Sequence, residues 1–233
     1  MSQPTSQPTF SRARSVEQRA QRREDILGAA RAMLDDTRVA DLSLNELARR
    51  VGLAKSNVLR YFESREAVLL DLYDREFREW LDALEERLAA TPEHTAGSLA
   101  AAVAETVAAR PVLAELCASA PGILEHNISG EVARAYKRGM LTSAARLAAL
   151  AEPWIGGEES DALVFVGAVT LAIGGIWSSC RVSPGMAEAY ALDPELARYR
   201  LDFASSLRTG VAVVIRGLRA ARVEARVEGA AAK

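Results

Sequence analysis

A short polar and basic segment near the N-terminus carries the side chains best suited to recognising another molecule. The outward positions of a predicted helix over residues 55–61 hold Lys55, Ser56, Asn57 and Arg60. Small polar and basic side chains of this kind match the base edges and phosphates of the DNA major groove. A helical pair with a purely structural role more often places long ion pairs on such a face. The pattern therefore predicts a DNA-reading helix.

A second short helix comes directly before it. Ser43 followed three residues later by Glu46 predicts a capping box. The helix that it starts is expected to run from Leu44 to Val51. Gly52 then predicts a left-handed residue that ends this helix. Two short helices joined by a turn of three or four residues containing glycine are typical of a helix-turn-helix.

Three further side chains of this segment are candidates for phosphate contacts that set the register on DNA: Ser43, Tyr61 and Arg65. Ser43 has an alternative role as a helix cap, and Tyr61 as a half-buried packing residue. Asn57 has the chemistry to pair with adenine and Arg60 with guanine, but the sequence does not separate base contacts from phosphate contacts.

The charge distribution agrees with a polyanionic partner for the N-terminal part. Residues 1–62 hold 11 Lys and Arg against 7 Asp and Glu, whereas residues 63–233 hold 18 against 24. A basic segment on an acidic body is the expected footprint of a nucleic-acid-binding region. Residues 1–16 are rich in Ser, Pro, Gln and Thr and predict a disordered arm, followed by a first helix over residues 17–35.

Three segments together resemble one known family. Residues 43–48 (SLNELA), 51–56 (VGLAKS) and 61–69 (YFESREAVL) are similar to the N-terminal domain of the TetR/AcrR-type helix-turn-helix transcriptional repressors. Leu59 stands where that family usually has Tyr, so a phosphate contact of the Tyr hydroxyl is missing or replaced, and Arg65 stands where Lys is common. The resemblance implies a dimeric repressor with an effector pocket in its remaining helices.

The rest of the chain predicts helix almost throughout, and the fold class is therefore all-α. A DNA-binding head is expected over residues 17–64, an effector-binding and dimerisation domain over 65–223, and a frayed tail over 224–233. The larger domain is expected to hold helices over 66–88, 96–109, 112–118, 130–151 and 194–223. Pro153 and the following glycines are expected to break the fourth of these.

Residues 162–180 contain no charged side chain, which raises two alternatives. The length would suit a membrane span, but three Gly, one Thr and two Ser make the segment weakly apolar, so a buried helix is favoured. We expect its second face, together with a stripe on the last helix, to pack against a second subunit. The expected interface residues are Ala162, Val166, Thr170, Phe203, Leu207, Val211, Val214 and Leu218.

By resemblance, the effector pocket is expected among large or soft side chains of the second domain, although each of these also suits a plain core. The candidates are Leu113, Cys117, Met140, Phe165, Val169, Ile173 and Trp177, with His126 and Asn127 as polar additions. Few charges interrupt these helices, so a small apolar or amphipathic ligand is expected.

Other function classes have weak support. The chain has two His and two Cys, and we find no nucleophile elbow, phosphate loop or metal-ligand cluster, so neither an enzyme, a metal nor a cofactor is expected. The polar start predicts no secretory signal and a cytoplasmic protein. A redox sensor is disfavoured because both Cys lie in apolar helical segments. The main alternative is a ligand-independent DNA-binding or architectural protein, which an internal cavity would argue against.

Overall fold

The computed structural model describes residues 9–156 and 159–231, and every regular element in these ranges is helical. The prediction of an all-α fold is therefore confirmed. The helices are α1 (Thr9–Leu34), α2 (Leu44–Arg50), α3 (Lys55–Val58), α4 (Arg65–Ala89), α5 (Ala96–Ala108), α6 (Pro111–Ser119), α7 (Gly130–Ile155), α8 (Glu159–Cys180), α9 (Pro184–Leu192), α10 (Pro194–Ala197) and α11 (Phe203–Ala231). A 3₁₀ turn (Val39–Asp41) precedes α2, and a π-turn (Ala120–Leu124) continues α6.

Helices α1 to α3 form a small head. Ile26 of α1, Leu47 of α2 and Val58 of α3 are all fully buried, and they give the head a compact apolar centre. Helix α1 begins at Thr9, eight residues earlier than expected, so part of the predicted arm is helical. Residues 1–8 of that arm lie outside the described residues.

Helix α4 connects the head to the larger domain and supplies much of its core. Tyr73, Phe77 and Trp80 are buried along one face of α4, and the rings of Phe77 and Trp80 meet edge to face at 5.0 Å. Helices α5, α6 and α7 pack against α4, and α8 and α11 pack in turn on these three helices. Burying such large aromatic side chains is worth several kcal/mol, which makes α4 a rigid connection between the two parts.

Helix α7 does not break where the sequence suggested. It continues through Pro153 to Ile155 and ends at Gly156, whose φ is +57°. A proline within the last turn removes one backbone hydrogen bond. Trp154 and Ile155 are both buried, so their packing holds the last turn in helical form.

The predicted helix over residues 194–223 is divided into two. Asp193 caps α10 as expected, accepting hydrogen bonds from the backbone N–H groups of Glu195 and Leu196. That helix ends at Ala197, however, and α11 starts anew at Phe203, where Asp202 accepts from the Ser205 N–H at 2.8 Å. Helices α9 and α10 contain no buried residue, so no core packing holds the intervening segment helical.

Within the described ranges, Ser160–Cys180 is the one helix long and apolar enough to cross a membrane, with a mean hydropathy of 1.9. It packs against α6, α7 and α11, and Phe165, Val169 and Ile173 are buried in the core. A core helix with one side in the protein interior is therefore a sufficient explanation of its composition.

Candidate DNA-reading head and effector cleft

The start of α2 is fixed by Ser43. Its hydroxyl oxygen accepts a hydrogen bond from the Glu46 N–H at 3.2 Å, as a cap does. The Glu46 carboxylate does not complete the expected capping box, because it binds Arg49 at 2.7 Å and Arg50 at 3.5 Å instead. The side chains of Arg49 and Arg50 are therefore engaged within α2 by Glu46.

The turn between α2 and α3 depends on Gly52. Its φ is +66°, and its N–H donates to the Arg49 carbonyl at 3.2 Å while the Leu53 N–H donates to the Ala48 carbonyl at 2.9 Å. This pair of bonds is the Schellman motif, which satisfies the last carbonyls of α2 and redirects the chain into α3. The predicted glycine-terminated helix is therefore present.

Replacing Gly52 with alanine is expected to lower the free energy of unfolding by about 1–2 kcal/mol, because an L side chain is strained in the left-handed region. Denaturant unfolding measures the change. Gly28→Ala is the matched control, since Gly28 lies inside α1 with no atom within 4 Å of the added Cβ. That variant should be unchanged or stabilised by up to about 1 kcal/mol. Equal stability of the two variants would contradict the role of Gly52.

Helix α3 presents the predicted reading side chains to the outside. Lys55, Ser56, Asn57 and Arg60 are all exposed, and Val58 on the opposite side is fully buried. In the described part of the chain, the side chains of these four residues make no hydrogen bond or ion pair, and the Arg60 carbonyl accepts from Arg19 Nη2 at 3.5 Å. Leu59, at the position where the resemblance expects Tyr, is 42% exposed beside them. An apolar side chain there suits contact with a thymine methyl group.

The phosphate candidates have different surroundings. Ser43 is exposed but serves as the cap of α2, and Tyr61 is half-buried. Arg65 is bound internally: its Nη1 donates to the Leu42 carbonyl at 3.0 Å, and its Nε donates to Glu66 Oε1 at 3.1 Å. The placement of Arg65 favours bracing of the head over the phosphate contact expected from the sequence.

A polar cleft of about 550 Å³ extends the reading face toward α1. Its lining residues are Gln18, Arg19, Gln21, Arg22, Asp25, Arg60 and Tyr61. The guanidinium-rich lining places further positive charge next to α3, where a phosphate backbone would approach. In the sequence, Arg19 and Arg22 near the start of the first helix are the signal for this cleft.

The head is fastened to α4 by ion pairs that cross between α1 and α4. Arg23 reaches Asp71 at 2.5 Å and the Tyr61 carbonyl at 2.6 Å, and its guanidinium lies 4.1 Å from the centre of the Phe62 ring. Arg31 binds the buried Glu76 at 2.9 Å. Charged hydrogen bonds of this geometry fix the orientation of two helices more strictly than apolar contact does.

A second cleft, of about 420 Å³, opens in the larger domain between α4, α6, α7 and α8. Of the predicted pocket residues, Cys117 and Met140 line it, and so does Thr170, which was expected at the dimer interface. The other lining residues are Tyr73, Ala118, Ala120, Pro121, Glu125, Tyr136, Lys137, Leu171, Gly174, Gly175 and Ser178. The cleft is therefore mainly apolar, with Lys137 and Glu125 forming an ion pair of 2.7 Å at its rim.

Most of the predicted pocket residues lie elsewhere. Four are fully or almost fully buried core residues that do not line the cleft: Leu113, Phe165, Val169 and Ile173. Trp177 donates its indole N–H to Glu115 at 2.8 Å. His126 and Asn127 are exposed in the turn before α7, where Asn127 has a φ of +59°. Sequence reasoning missed Tyr73 and Tyr136, because nothing in their spacing tells a cleft-lining aromatic residue from a core residue.

Three side chains in this cleft, Tyr73, Cys117 and Tyr136, are held in their neutral forms because burial raises the pKa of each. The Tyr73 hydroxyl and the Cys117 thiol are hydrogen-bonded at 3.2 Å, and burial raises the pKa of Cys117 to about 12. Burial likewise raises the pKa of Tyr136 above its ordinary value. A thiol of this kind stays protonated and unreactive at neutral pH, which argues against redox chemistry at Cys117. The described residues contain no group of three or more His, Cys, Asp or Glu side chains arranged to hold a metal ion.

The residues expected at a dimer interface are turned inward. Ala162, Val166, Leu207 and Val211 are buried in the core of the protomer, and Thr170, Phe203, Val214 and Leu218 are half-buried. A different apolar side of α8 is uncovered, which we name the open face: Leu163, Val164, Gly167, Leu171 and Gly175. Val213 of the neighbouring α11 is 60% exposed as well. The sequence could not separate the two sides of α8, because a helix that is apolar all round gives no signal for its rotation.

Comparisons with known proteins agree with this arrangement. Residues 26–72 match the family described as "Bacterial regulatory proteins, tetR family", and residues 74–222 match the family described as "Tetracyclin repressor-like, C-terminal domain". A 50-residue segment is 44% identical to the HTH-type transcriptional regulator EthR of Mycobacterium tuberculosis. It covers 22% of this chain and 23% of that relative, so less than a quarter of the relative's length is matched.

Solved structures resemble the whole helical arrangement. The fatty acid degradation regulator FadR from Bacillus halodurans has a TM-score of 0.53 at 12% identity, covering 82% of this chain and 97% of that one. A transcriptional regulator from Rhodococcus sp. Rha1 has a TM-score of 0.53 at 15% identity, covering 84% and 96%. At such low identity the likeness is one of fold.

Proposed function

Because this chain belongs to the TetR family of bacterial transcriptional regulators, we propose that it is a ligand-responsive repressor. In this proposal a homodimer binds an inverted-repeat operator in double-stranded DNA and is released by a small apolar or amphipathic effector. The observation that carries the proposal is the exposed, unengaged polar face of α3 on a head that is braced to a domain containing a cleft.

Dimerisation follows from the small size of the reading helix. Helix α3 has one turn and reaches only a few base pairs, and each good bidentate contact discriminates by only about 1–3 kcal/mol. Two heads placed one DNA turn apart, at about 34–36 Å, read twice as many bases. The open face of α8 and the adjacent Val213 are the apolar surface that we assign to the partner subunit.

The cleft between α4 and α8 supports a sensor over the ligand-independent alternative. Its volume of about 420 Å³ suits a small organic molecule, and Met140 and Ala118 offer it apolar contacts. An effector that prefers a wrongly spaced pair of heads would shift the population off DNA. Moving the ratio of the wrongly spaced form to the DNA-binding form from 1:99 to 99:1 requires that the effector prefer the wrongly spaced form by about 5.5 kcal/mol. We assign the protein to the cytoplasm, where its DNA target lies.

Selection of bound fragments from a random DNA pool tests the proposal directly. We expect the recovered sequences to share an inverted repeat whose half-sites are about one helical turn apart. Recovery of unrelated sequences, at affinities no better than those for bulk competitor DNA, would overturn it.

Replacing Lys55 with alanine is expected to weaken binding to all DNA sequences alike. Loss of one phosphate contact reduces the slope of log affinity against log salt by about 0.9 per contact, and by twice that in a dimer. Titrations of duplex DNA at several salt concentrations measure the slope. Lys137→Ala is the matched control, because Lys137 carries the same charge at the rim of the cleft. An equal change in slope for both variants would show that overall charge, and not α3, is responsible.

A further inference from the structure

Glu115 of α6 occupies a position between the two parts of the protein. Glu115 is only 8% exposed, and its two carboxylate oxygens face different elements. Oε1 accepts a hydrogen bond from the Val39 N–H of the head at 3.0 Å. Oε2 accepts from the Trp177 indole N–H at 2.8 Å and from Arg181 Nη1 at 2.5 Å. One buried side chain thus joins the 3₁₀ turn of the head to the C-terminal end of α8.

The 3₁₀ turn is well placed to move the reading helix. It ends at Asp41, two residues before Ser43, which caps α2. Arg65 of α4 holds the carbonyl side of the same turn, donating to Ala40 at 3.3 Å and Leu42 at 3.0 Å. The turn is therefore gripped by α4 through its carbonyl groups and by α6 through one N–H group. A displacement of α6 relative to α4 must be taken up at this turn.

Helix α6 is also a wall of the effector cleft. Gly174 of α8 lies so close to α6 that a Cβ atom there would be 3.0 Å from the Cys117 carbonyl oxygen and 3.2 Å from the Ala118 Cα. Cys117, Ala118 and Gly174 all line the cleft. A molecule that enters between α6 and α8 must push them apart, and Glu115 lies two residues from Cys117 on the same nine-residue helix.

We propose that Glu115 is the positioning residue that transmits the separation of α6 and α8 to the reading head, through its hydrogen bond to the Val39 N–H. This inference rests on the proposed function for its biological meaning. Among the described residues, one other side chain links the head to a segment that follows α4. Glu63 accepts a hydrogen bond from the Ser129 N–H at 2.6 Å. Glu63 is exposed, whereas Glu115 is buried and cannot exchange its partners for water.

The donor of this contact can be removed by a single substitution. Val39→Pro deletes the N–H, and the backbone tolerates it, because Arg38 has φ −81° and ψ +157°, which suit a residue before proline. Val39 is also the first residue of its turn, where proline is accepted. Val39→Ala keeps the N–H while removing buried side-chain volume, so it controls for loss of packing.

Gly174→Ala serves as the probe in place of an unidentified effector, because its methyl group wedges α6 from α8. We expect this variant to bind the selected operator about 10-fold more weakly, within the usual range of couplings between sites. In the Val39→Pro and Glu115→Leu backgrounds, which lack the donor and the acceptor of this hydrogen bond, the same wedge should change affinity by less than about twofold. In the Val39→Ala background its full effect should remain. Gly28→Ala should have no effect in any background.

Amide hydrogen exchange of residues 38–43 gives a readout that needs no DNA. Gly174→Ala should speed exchange there in the wild-type and Val39→Ala backgrounds, and not in Glu115→Leu, where the acceptor for the Val39 N–H is removed. Thermal unfolding of every variant checks that the fold is retained. Equal effects of the wedge in all four backgrounds, in exchange and in affinity, would overturn the inference. If the wild type selects no operator while exchange follows the expected pattern, the repressor function fails and the coupling by Glu115 stands.

Discussion

Leu171→Glu is expected to separate the protein into monomers and to reduce affinity for the operator by at least about 100-fold. Leu171 lies on the open face of α8 at the edge of the cleft, and at 74% exposure it is the most exposed large apolar side chain of that face. A carboxylate at the same place in two facing subunits would be buried without a partner, which costs several kcal/mol. Sedimentation velocity measures the oligomeric state, and titration of the inverted-repeat duplex measures the affinity.

The matched control is Ala149→Glu, which adds the same charge at an exposed position of α7. This variant should remain dimeric and bind the operator as the wild type does. Both variants should still fold, since neither side chain belongs to the buried core. A dimeric Leu171→Glu protein would show that the subunits meet elsewhere, and a wild-type monomer that still selects an inverted repeat would contradict the paired-head proposal.

Arg31→Ala is expected to lower the free energy of unfolding at neutral pH by about 2 kcal/mol, less than for a fully buried ion pair, because the Arg31 side chain is 47% exposed. Glu76 is fully buried in α4, and its Oε1 accepts from Arg31 Nε at 2.9 Å. Among the residues that the structure describes, its Oε2 has no hydrogen-bond partner, and Arg110 Nη1 lies 4.0 Å away. Removing Arg31 therefore leaves a buried carboxylate with only a distant positive charge.

The pH dependence distinguishes this cause from a simple loss of contacts. Burial raises the pKa of Glu76 above its ordinary value, so the folded protein binds this proton more tightly than the unfolded chain does. The resulting stabilisation is present at low pH and is lost as the pH rises through the folded pKa. Arg31 lowers this pKa through its charge and its hydrogen bond, so the Glu76 carboxyl of Arg31→Ala takes up its proton at a higher pH than in the wild type. The deficit of Arg31→Ala should therefore shrink as the pH falls from neutrality.

Two companion variants complete the test by denaturant unfolding. Adding Glu76→Gln to Arg31→Ala should recover most of the lost stability at neutral pH and remove the pH dependence of the deficit. Arg22→Ala, which breaks an exposed pair with Asp25, should cost no more than about 0.5 kcal/mol. A deficit in Arg31→Ala that does not vary with pH would show that the charge of Glu76 is not its cause.

The local chemistry of the head was predictable because its determinants lie within a few residues of one another. The Ser43 cap, the left-handed Gly52 and the outward polar side chains of α3 all depend on spacings of three or four residues. Spacing also indicated the all-α fold and the single long helix α4. Where local signals competed, packing decided: Trp154 and Ile155 carried α7 past Pro153, and the absence of packing let the chain break after Ala197.

What the sequence determined by itself was the reading head, since hydrogen bonds between near neighbours specify it whatever surrounds them. Tertiary structure alone decided how each apolar helix is rotated. It turned Val166 into the core and left Leu171 open, and it placed Tyr73 beside Cys117, 44 positions away along the chain. It also brought Glu115 to the Val39 N–H across 76 positions. Such contacts depend on how whole helices pack, and no periodicity within one helix encodes them.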